Sequence, residues 1–402
     1  MITEIYAYEE APSTYSASIF LVGPTPREGD ITSWRPEALT AIANAYKETG
    51  SELDLVIFIP EPRDQMTYHY REQVEWEKQH LDLADILFTW VPRDLKTSLK
   101  GLTTNIEFGK YVESGKLFYG RPDNADNIDY LDWLYTKATT RQPTNTLTAL
   151  TKEVLTYLNT TLTRGPSSIR MRTAGERYVP LNIWSTLQFQ AWYQTQRQAG
   201  NHLVDAQVLW SFIIHRVNLV FSYALHVRVW IAAEHRIKSN EFILTRPDIS
   251  VVVPYWKHPT NLFDSEIVLV KEFRAPARTA DGFVHELPGG SSFSGQENSL
   301  VLASNELREE TSLKINSERF RDLGAKQLVA TWSTHYAQAY AVELTAAEMA
   351  YAKDLARSGK TFGVAADTEH TYVEVCTLKD VGKYVDWSME GMIYRAIFDT
   401  SS

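Results

Sequence analysis

The chain has 402 residues, 44% of them apolar and 22% charged, with a formal net charge of −10. That length exceeds one ordinary core and predicts two to three domains, and the composition is that of a globular protein rather than a disordered or membrane-embedded one. The negative charge argues against binding nucleic-acid polymers, whose phosphates it would repel, while leaving small anionic substrates open.

Residues 1–14 carry acids and a proline but no basic or apolar leader pattern, so no signal peptide is expected. The next apolar run, Ser18-Ile-Phe-Leu-Val-Gly-Pro24, ends in Gly-Pro, as a buried parallel strand does where it meets a ligand-side loop. Leu53-Asp-Leu-Val-Ile-Phe-Ile-Pro60, Ala84-Asp-Ile-Leu-Phe-Thr-Trp-Val-Pro92 and Lys116-Leu-Phe-Tyr-Gly120 repeat it, with helical stretches at 35–49, 70–83 and 105–114 between them. Strands alternating with helices predict an α/β fold on a parallel sheet of flavodoxin or Rossmann type, with ligands at the carboxyl ends of the strands. The loops there hold Gly23-Pro-Thr-Pro-Arg27, Ser33-Trp34-Arg35, Glu61-Pro-Arg63 and Trp90-Val-Pro-Arg93. Gln73 and Glu77 lie on the intervening helix, and Thr103-Thr104-Asn105-Ile-Glu107-Phe-Gly109 opens the next. Taken singly each has a structural explanation: helix caps at Thr103 to Asn105, a strand-edge acid at Asp85, core rings at Trp34 and Trp90.

Together these residues resemble the nucleoside 2-deoxyribosyltransferase-like superfamily over most of 18–135, most specifically at Thr-Thr-Asn-x-Glu-Phe-Gly. The resemblance implies such a domain at 1–162, with Glu107 attacking the anomeric carbon of a (deoxy)ribosyl group and carrying it as a glycosyl ester. It also implies substrate contacts from Gly23, Arg27, Trp34, Arg35, Arg93, Thr104 and Asn105. The chemistry agrees, since a carboxylate traps an oxocarbenium-like centre, and a first-turn position would keep Glu107 ionised through the helix dipole. A second carboxylate must handle the base or the acceptor, and Asp85 and Glu77 both qualify.

Residues 147–162 read as a closing helix, followed by Thr163-Arg-Gly-Pro-Ser-Ser168 as a linker. Residues 182–219 are helical by pattern and rich in Trp and Gln, so 163–219 is expected to be a linker and helical lead-in. The most apolar segment, 217–233, is interrupted by His226 and Arg228 and reads as a buried helix end or a long strand, not a membrane span. From 220 onward β-character rises through Phe242-Ile-Leu, Ser250-Val-Val-Val-Pro254 and Ile267-Val-Leu-Val-Lys-Glu-Phe-Arg274. Strands at 327–331 and 339–344 follow, and Cys376, the single cysteine, rules out an internal disulfide framework and fits a reducing cytoplasm. His335 and His370 lack zinc-like spacing.

Between those strands stand Glu286-Leu-Pro-Gly-Gly290, Glu297, and a helix carrying Glu306, Glu309 and Glu310 at i, i+3 and i+4. Three carboxylates on one helical face repel one another, and a divalent cation with oxygen ligands, Mg2+ or Mn2+, relieves that. These residues resemble the Nudix hydrolase box G-x5-E-x7-R-E-U-x-E-E-x-G-U, with U apolar. Glu297, Glu306, Glu309 and Glu310 take the acidic positions and Leu307 and Leu313 the apolar ones. There are three departures: a loop one residue longer, Asn305 at the box arginine and Ser312 at the box glycine. Asn305 replaces a residue that orients the carboxylates, which bears on turnover more than on metal binding. The approach through Arg274 and Glu286 resembles the ADP-ribose pyrophosphatase branch, which implies substrate contacts from both and a further carboxylate near Glu369. An α/β/α Nudix fold over 220–402 is the expectation.

The reading that joins both halves is a bifunctional nucleotide-processing enzyme. Metal-dependent hydrolysis of a nucleoside-diphosphate-X pyrophosphate bond would be paired with N-glycosidic cleavage or deoxyribosyl transfer. Two alternatives remain: a Nudix hydrolase gated by a non-catalytic nucleotide sensor, or a weak Nudix binding module attached to an active N-glycosidase. The expected partners are small nucleotides or nucleosides and further copies of the chain in a homo-oligomer, with no membrane and no sequence-specific nucleic acid.

Overall fold

The computed structural model describes residues 1–26, 31–63, 70–163, 170–215, 219–291, 298–363 and 369–399. Arg27, Glu297 and the expected linker from 164 to 168 lie outside the described residues. The chain forms two compact units, Met1–Leu244 and Thr245–Ser402.

Unit 1 begins with β1 (Ile2–Tyr6), β2 (Thr14–Tyr15), β3 (Ala17–Val22), α1 (Arg35–Glu48), β4 (Leu55–Ile59) and α2 (Tyr70–Leu83). It continues with β5 (Ile86–Trp90), α3 (Leu102–Tyr111), β6 (Leu117–Gly120), α4 (Asp129–Thr139) and α5 (Leu147–Thr163). Among the described residues five strands form a parallel sheet in the order β1-β4-β3-β5-β6, with Ile19 opposite both Ile57 and Ile86. Every residue of β3, β4, β5 and β6 is buried, because helices cover both faces and neither face can carry polar side chains. Ile19, Leu21, Ile57 and Phe88 pack with Ala38 and Ile42 of α1 and Val154 and Leu158 of α5. The alternate residues Phe20, Val56, Phe58 and Leu87 pack with Leu81 of α2, Phe108 of α3 and Leu131 of α4. The strand order reverses at β3, where such sheets leave a crevice at the carboxyl ends of the strands.

The segment expected to be a helical lead-in is helical only as far as Gln198 and then becomes β-structure. After β7 (Arg172–Thr173), α6 (Leu181–Trp184) and α7 (Leu187–Gln198), Gly200 turns the chain at φ 78° and β8 (His202–Ile214) begins. β8 pairs antiparallel with β9 (Leu219–Ile231), and β10 (Arg236–Thr245) flanks β9 on its other side. The Trp and Gln pattern runs across α6, α7 and β8, with Trp184 in α6, Trp192 in α7 and Trp210 in β8. Beyond α7, Leu203, Ala206, Tyr223, Leu225 and Val227 turn inward and join the core that holds Trp184, Phe189 and α5. Burial against the first sheet therefore assigns 202–244 to unit 1, not to the second domain that was expected to start at 220.

Unit 2 contains β11 (Ile249–Trp256), β12 (Glu266–Phe273), β13 (Phe283–Glu286), β14 (Gly289–Ser291) and α8 (Ser299–Thr311). There follow β15 (Arg321–Gln327), β16 (Tyr336–Glu343), α9 (Ala346–Ser358), β17 (Thr361–Phe362), β18 (Thr371–Thr377) and α10 (Trp387–Phe398). Its mixed sheet runs β15-β16-β11-β12-β18-β17, with β13 added on β12 and β14 on β11. Val251, Val253 and Leu269 face Ile393 and Ile397 of α10, while Val252 and Val268 face Leu307 of α8 and Met349 of α9. The layers are therefore α/β/α. The strand expected over 327–331 ends at Gln327. No helix among the described residues is long and apolar enough to cross a membrane.

Candidate active site

The carboxyl ends of β3 and β4, together with α2 and α3, enclose a cavity of about 820 Å³. Its lining includes Gly23, Arg35, Glu77, Thr104 and Glu107. Gly23 is required by close approach: a Cβ there would lie 2.2 Å from the Trp90 carbonyl oxygen and 2.7 Å from the Trp34 ring. α3 starts from Gly101, whose φ of 65° suits glycine, with no side chain capping the helix.

Glu107 is the sixth residue of α3, not a first-turn residue, so the helix dipole gives it little. Burial and, next, the charge of Glu77 push its carboxyl up to about 7, with Arg35 opposing. Glu77 is also raised, mainly by burial, and its Oε1 accepts a 2.9 Å hydrogen bond from Gln73 Nε2. The charge of Glu77 thus disfavours ionisation of Glu107, so Glu107 gives up its proton most readily when Glu77 is neutral.

Arg35 does not act as a substrate ligand, because every N–H is already used. Nε and Nη2 donate to the Leu21 carbonyl, Nη2 also to the Gly23 carbonyl, and Nη1 to Thr25 Oγ1 and to Glu61 Oε1 at 2.6 Å. It is a buried strut that holds the loop after β3. Trp34 likewise belongs to the core, donating from Nε1 to the Pro24 carbonyl at 3.1 Å. Arg93 is buried away from the cavity lining, donating to the Asn127 carbonyl and to Asn105 Oδ1, which occupies both residues with each other.

Asp85 is not a catalytic acid. It precedes β5 at the amino end of the sheet, opposite the cavity, and both its side chain and that of Arg172 have no solvent exposure. Arg172 pairs with both carboxylate oxygens, and Ser18 N–H, Ser18 Oγ and Leu181 N–H add further bonds. All its acceptor capacity is spent on tying β3, β5 and the segment before α6 together. The cavity acid is Glu77, and the sequence offered no signal that ranked it above Asp85.

In unit 2, Glu310 is buried against β14, and its Oε2 accepts from Gly289 N–H at 3.0 Å. Glu306 packs on Gly290, where a Cβ would lie 2.2 Å from Glu306 Oε1, which explains the glycine. Burial, then Glu306, Glu369 and Glu272 push the Glu310 carboxyl well up, with the Gly289 bond opposing. Glu272, on β12, is the member of this group that sequence reading missed, although it alternates with Lys271 and Phe273 in the quoted strand. Glu309 diverges from its two partners: it is exposed, with Arg308 Nη2 3.7 Å from it. Arg274 lies 2.7 Å from Glu272 and 2.9 Å from Glu286, so it partly compensates the acids and is tied to Glu286. Ser312, at the box glycine, closes α8 at φ 57°, a conformation that favours glycine. The crowded oxygen donors suit a hard divalent cation. Among the described residues, however, no three His, Cys, Asp or Glu side chains converge on one ion position.

Residues 16–124 match the family described as nucleoside 2-deoxyribosyltransferase like. The matched segment runs from the start of β3 past β6 and carries Glu77, Arg35 and Glu107. No curated protein matches the chain.

Proposed function

We propose, from an N-terminal nucleoside 2-deoxyribosyltransferase-like domain that suggests nucleoside processing, that unit 1 breaks the N-glycosidic bond of a nucleoside or nucleotide. The observation that carries this reading is Glu107, a carboxyl held near 7 beside Glu77 on the wall of an 820 Å³ cavity. In the competent state Glu107 is ionised and Glu77 is protonated. Glu107 Oε attacks the anomeric carbon as the bond to the base breaks; the electron pair leaves with the base, and Glu77 protonates it. Water or a second base then attacks the glycosyl ester, returning its proton to Glu77 and freeing Glu107. Developing positive charge on the sugar favours the Glu107 carboxylate at the moment it is needed. Chromatography of free base released from a nucleoside and nucleotide panel tests this. Release that vanishes in Glu107→Gln supports it, and release unchanged in that variant overturns it.

A second reading concerns unit 2, where the buried Glu310 beside Glu306 and Glu369 supports Nudix-type hydrolysis of a nucleoside-diphosphate-X pyrophosphate bond. Glu306 and Glu310, beside Gly290 and Gly289, would supply ligands to Mg2+ or Mn2+, with Glu309, Glu369 and Glu297 supporting. When bound, such an ion activates water and offsets charge on the pyrophosphate. Assay of ADP-ribose hydrolysis with Mg2+ and with chelator separates this from a pure binding module, which would bind without turnover. A cytoplasmic, homo-oligomeric protein acting on small nucleotides is the setting we propose for both.

A further inference from the structure

The three-stranded sheet β10-β9-β8 of unit 1 buries one face and leaves aromatic rings exposed on the other. Along β8 and β9, Ala206, Val208, Leu225 and Val227 face the core. The residues that alternate with them point the other way, where Trp210 stands opposite Ala224 and Phe212 opposite Ser222. The Trp210 and Phe212 rings stack with centroids 6.5 Å apart and planes at 8°. Phe242 joins the same face from β10, its ring 5.0 Å from that of His226. Trp210, Phe212 and Phe242 are 52, 50 and 58% exposed. Apolar residues exposed singly are ordinary, whereas a stacked platform continued on a neighbouring strand marks a contact surface.

We infer that this face packs on the same face of a second copy of the chain, across a twofold axis that runs along the hairpin between β8 and β9. The inference is independent of both catalytic readings and gives the homo-oligomer proposed above its contact surface. Such an axis lays β8 of one copy over β9 of the other. It seats Trp210 over the partner's Ala224 and Phe212 over the partner's Ser222, large side chains on small ones. Charge points to the same partner. Asp205 and Arg228 are the acid and the base of β8 and β9, they stand opposite each other in register, and neither makes an ion pair among the described residues. The axis sets each against its opposite on the other copy. The charges of β10 are already matched, Arg236 by Glu234 and Lys238 by Glu241. The face is therefore neutral in a chain of net charge −10, and two copies meet there without repulsion. Two strands of 13 residues, about 3.3 Å per residue and about 4.8 Å apart, present roughly 400 Å² on each copy. Phe242 and the exposed Leu209 widen it, which brings the pair close to the roughly 1,000 Å² of a specific interface.

The test is sedimentation velocity of the full chain across a dilution series. A monomer–dimer equilibrium is expected, and Trp210→Ser combined with Phe212→Ser should weaken it at least tenfold. Asp205→Arg and Arg228→Asp should each weaken it too, because each sets like charges together. An equimolar mixture of those two single variants should dimerise about as well as wild type, since every facing pair is then opposite in sign. The charge variants leave the core untouched, so they decide the matter if circular dichroism shows the serine variant unfolded. A chain that is monomeric at every concentration assigns the face to a different partner and overturns both the inference and the homo-oligomer. A dimer that survives these substitutions, or charge variants that the mixture fails to rescue, overturns this face alone and leaves the oligomer to another surface.

Discussion

Glu107→Gln should stabilise unit 1 at alkaline pH while abolishing its proposed chemistry. The Glu107 carboxyl moves from an ordinary 4.5 to about 7 on folding, because burial and Glu77 disfavour its charge. A raised carboxyl binds its proton more tightly folded than unfolded, so stability is highest below 4.5 and falls as pH rises towards 7. At 1.36 kcal/mol per pH unit the whole cost is about 3 kcal/mol, a ceiling because the residue retains some contact with water. Glutamine carries no charge and escapes that cost. For a unit of this size 1 kcal/mol shifts Tm by roughly 2–4 °C, so the variant should melt several degrees higher than wild type at pH 8. At pH 4.5 the two should nearly coincide. Thermal melts followed by tryptophan fluorescence at both pH values decide it. Equal Tm at pH 8, or the same shift at both pH values, refutes the electrostatic account of this site.

Glu77→Gln removes a like charge from Glu107, so the acid limb of the residual base-release profile should move to lower pH. Its rate should fall by roughly 10²–10⁴, as for loss of a proton donor; an unmoved limb would mean the two carboxyls are not coupled. Asp85→Asn leaves Arg172 buried without its counter-charge and should cost about 3–5 kcal/mol, read as a loss of denaturation midpoint. A midpoint within error of wild type would contradict the structural role of that pair. In unit 2, Gly290→Ala drives a methyl group into the Glu306 carboxylate and should weaken Mg2+ binding by calorimetry about 10–100-fold; unchanged affinity would separate Glu306 from the metal. Burial pushes the Cys376 thiol up to about 12, so the native chain should resist alkylation at pH 8, and rapid labelling would show the site to be open.

The sequence by itself determined the alternation of strands and helices in unit 1 and the loops at the carboxyl ends of its strands. Period and turn chemistry are local properties, and four apolar runs ending near Gly or Pro state them directly. It also carried the Gly-Gly turn and the pair Glu306 and Glu310, since residues four apart share a helical face, whereas Glu309 turns to solvent. Tertiary structure alone decided which acid faces Glu107. Asp85 and Glu77 are equivalent as letters, but Arg172, 87 residues further on, claims Asp85 at the far end of the sheet. It likewise decided that Arg35 has no donor left for a ligand and that residues 202–244 belong to the first core. Each of those outcomes depends on which groups meet across long stretches of chain, where a charge is neutralised and a donor consumed only by the partner that folding brings to it.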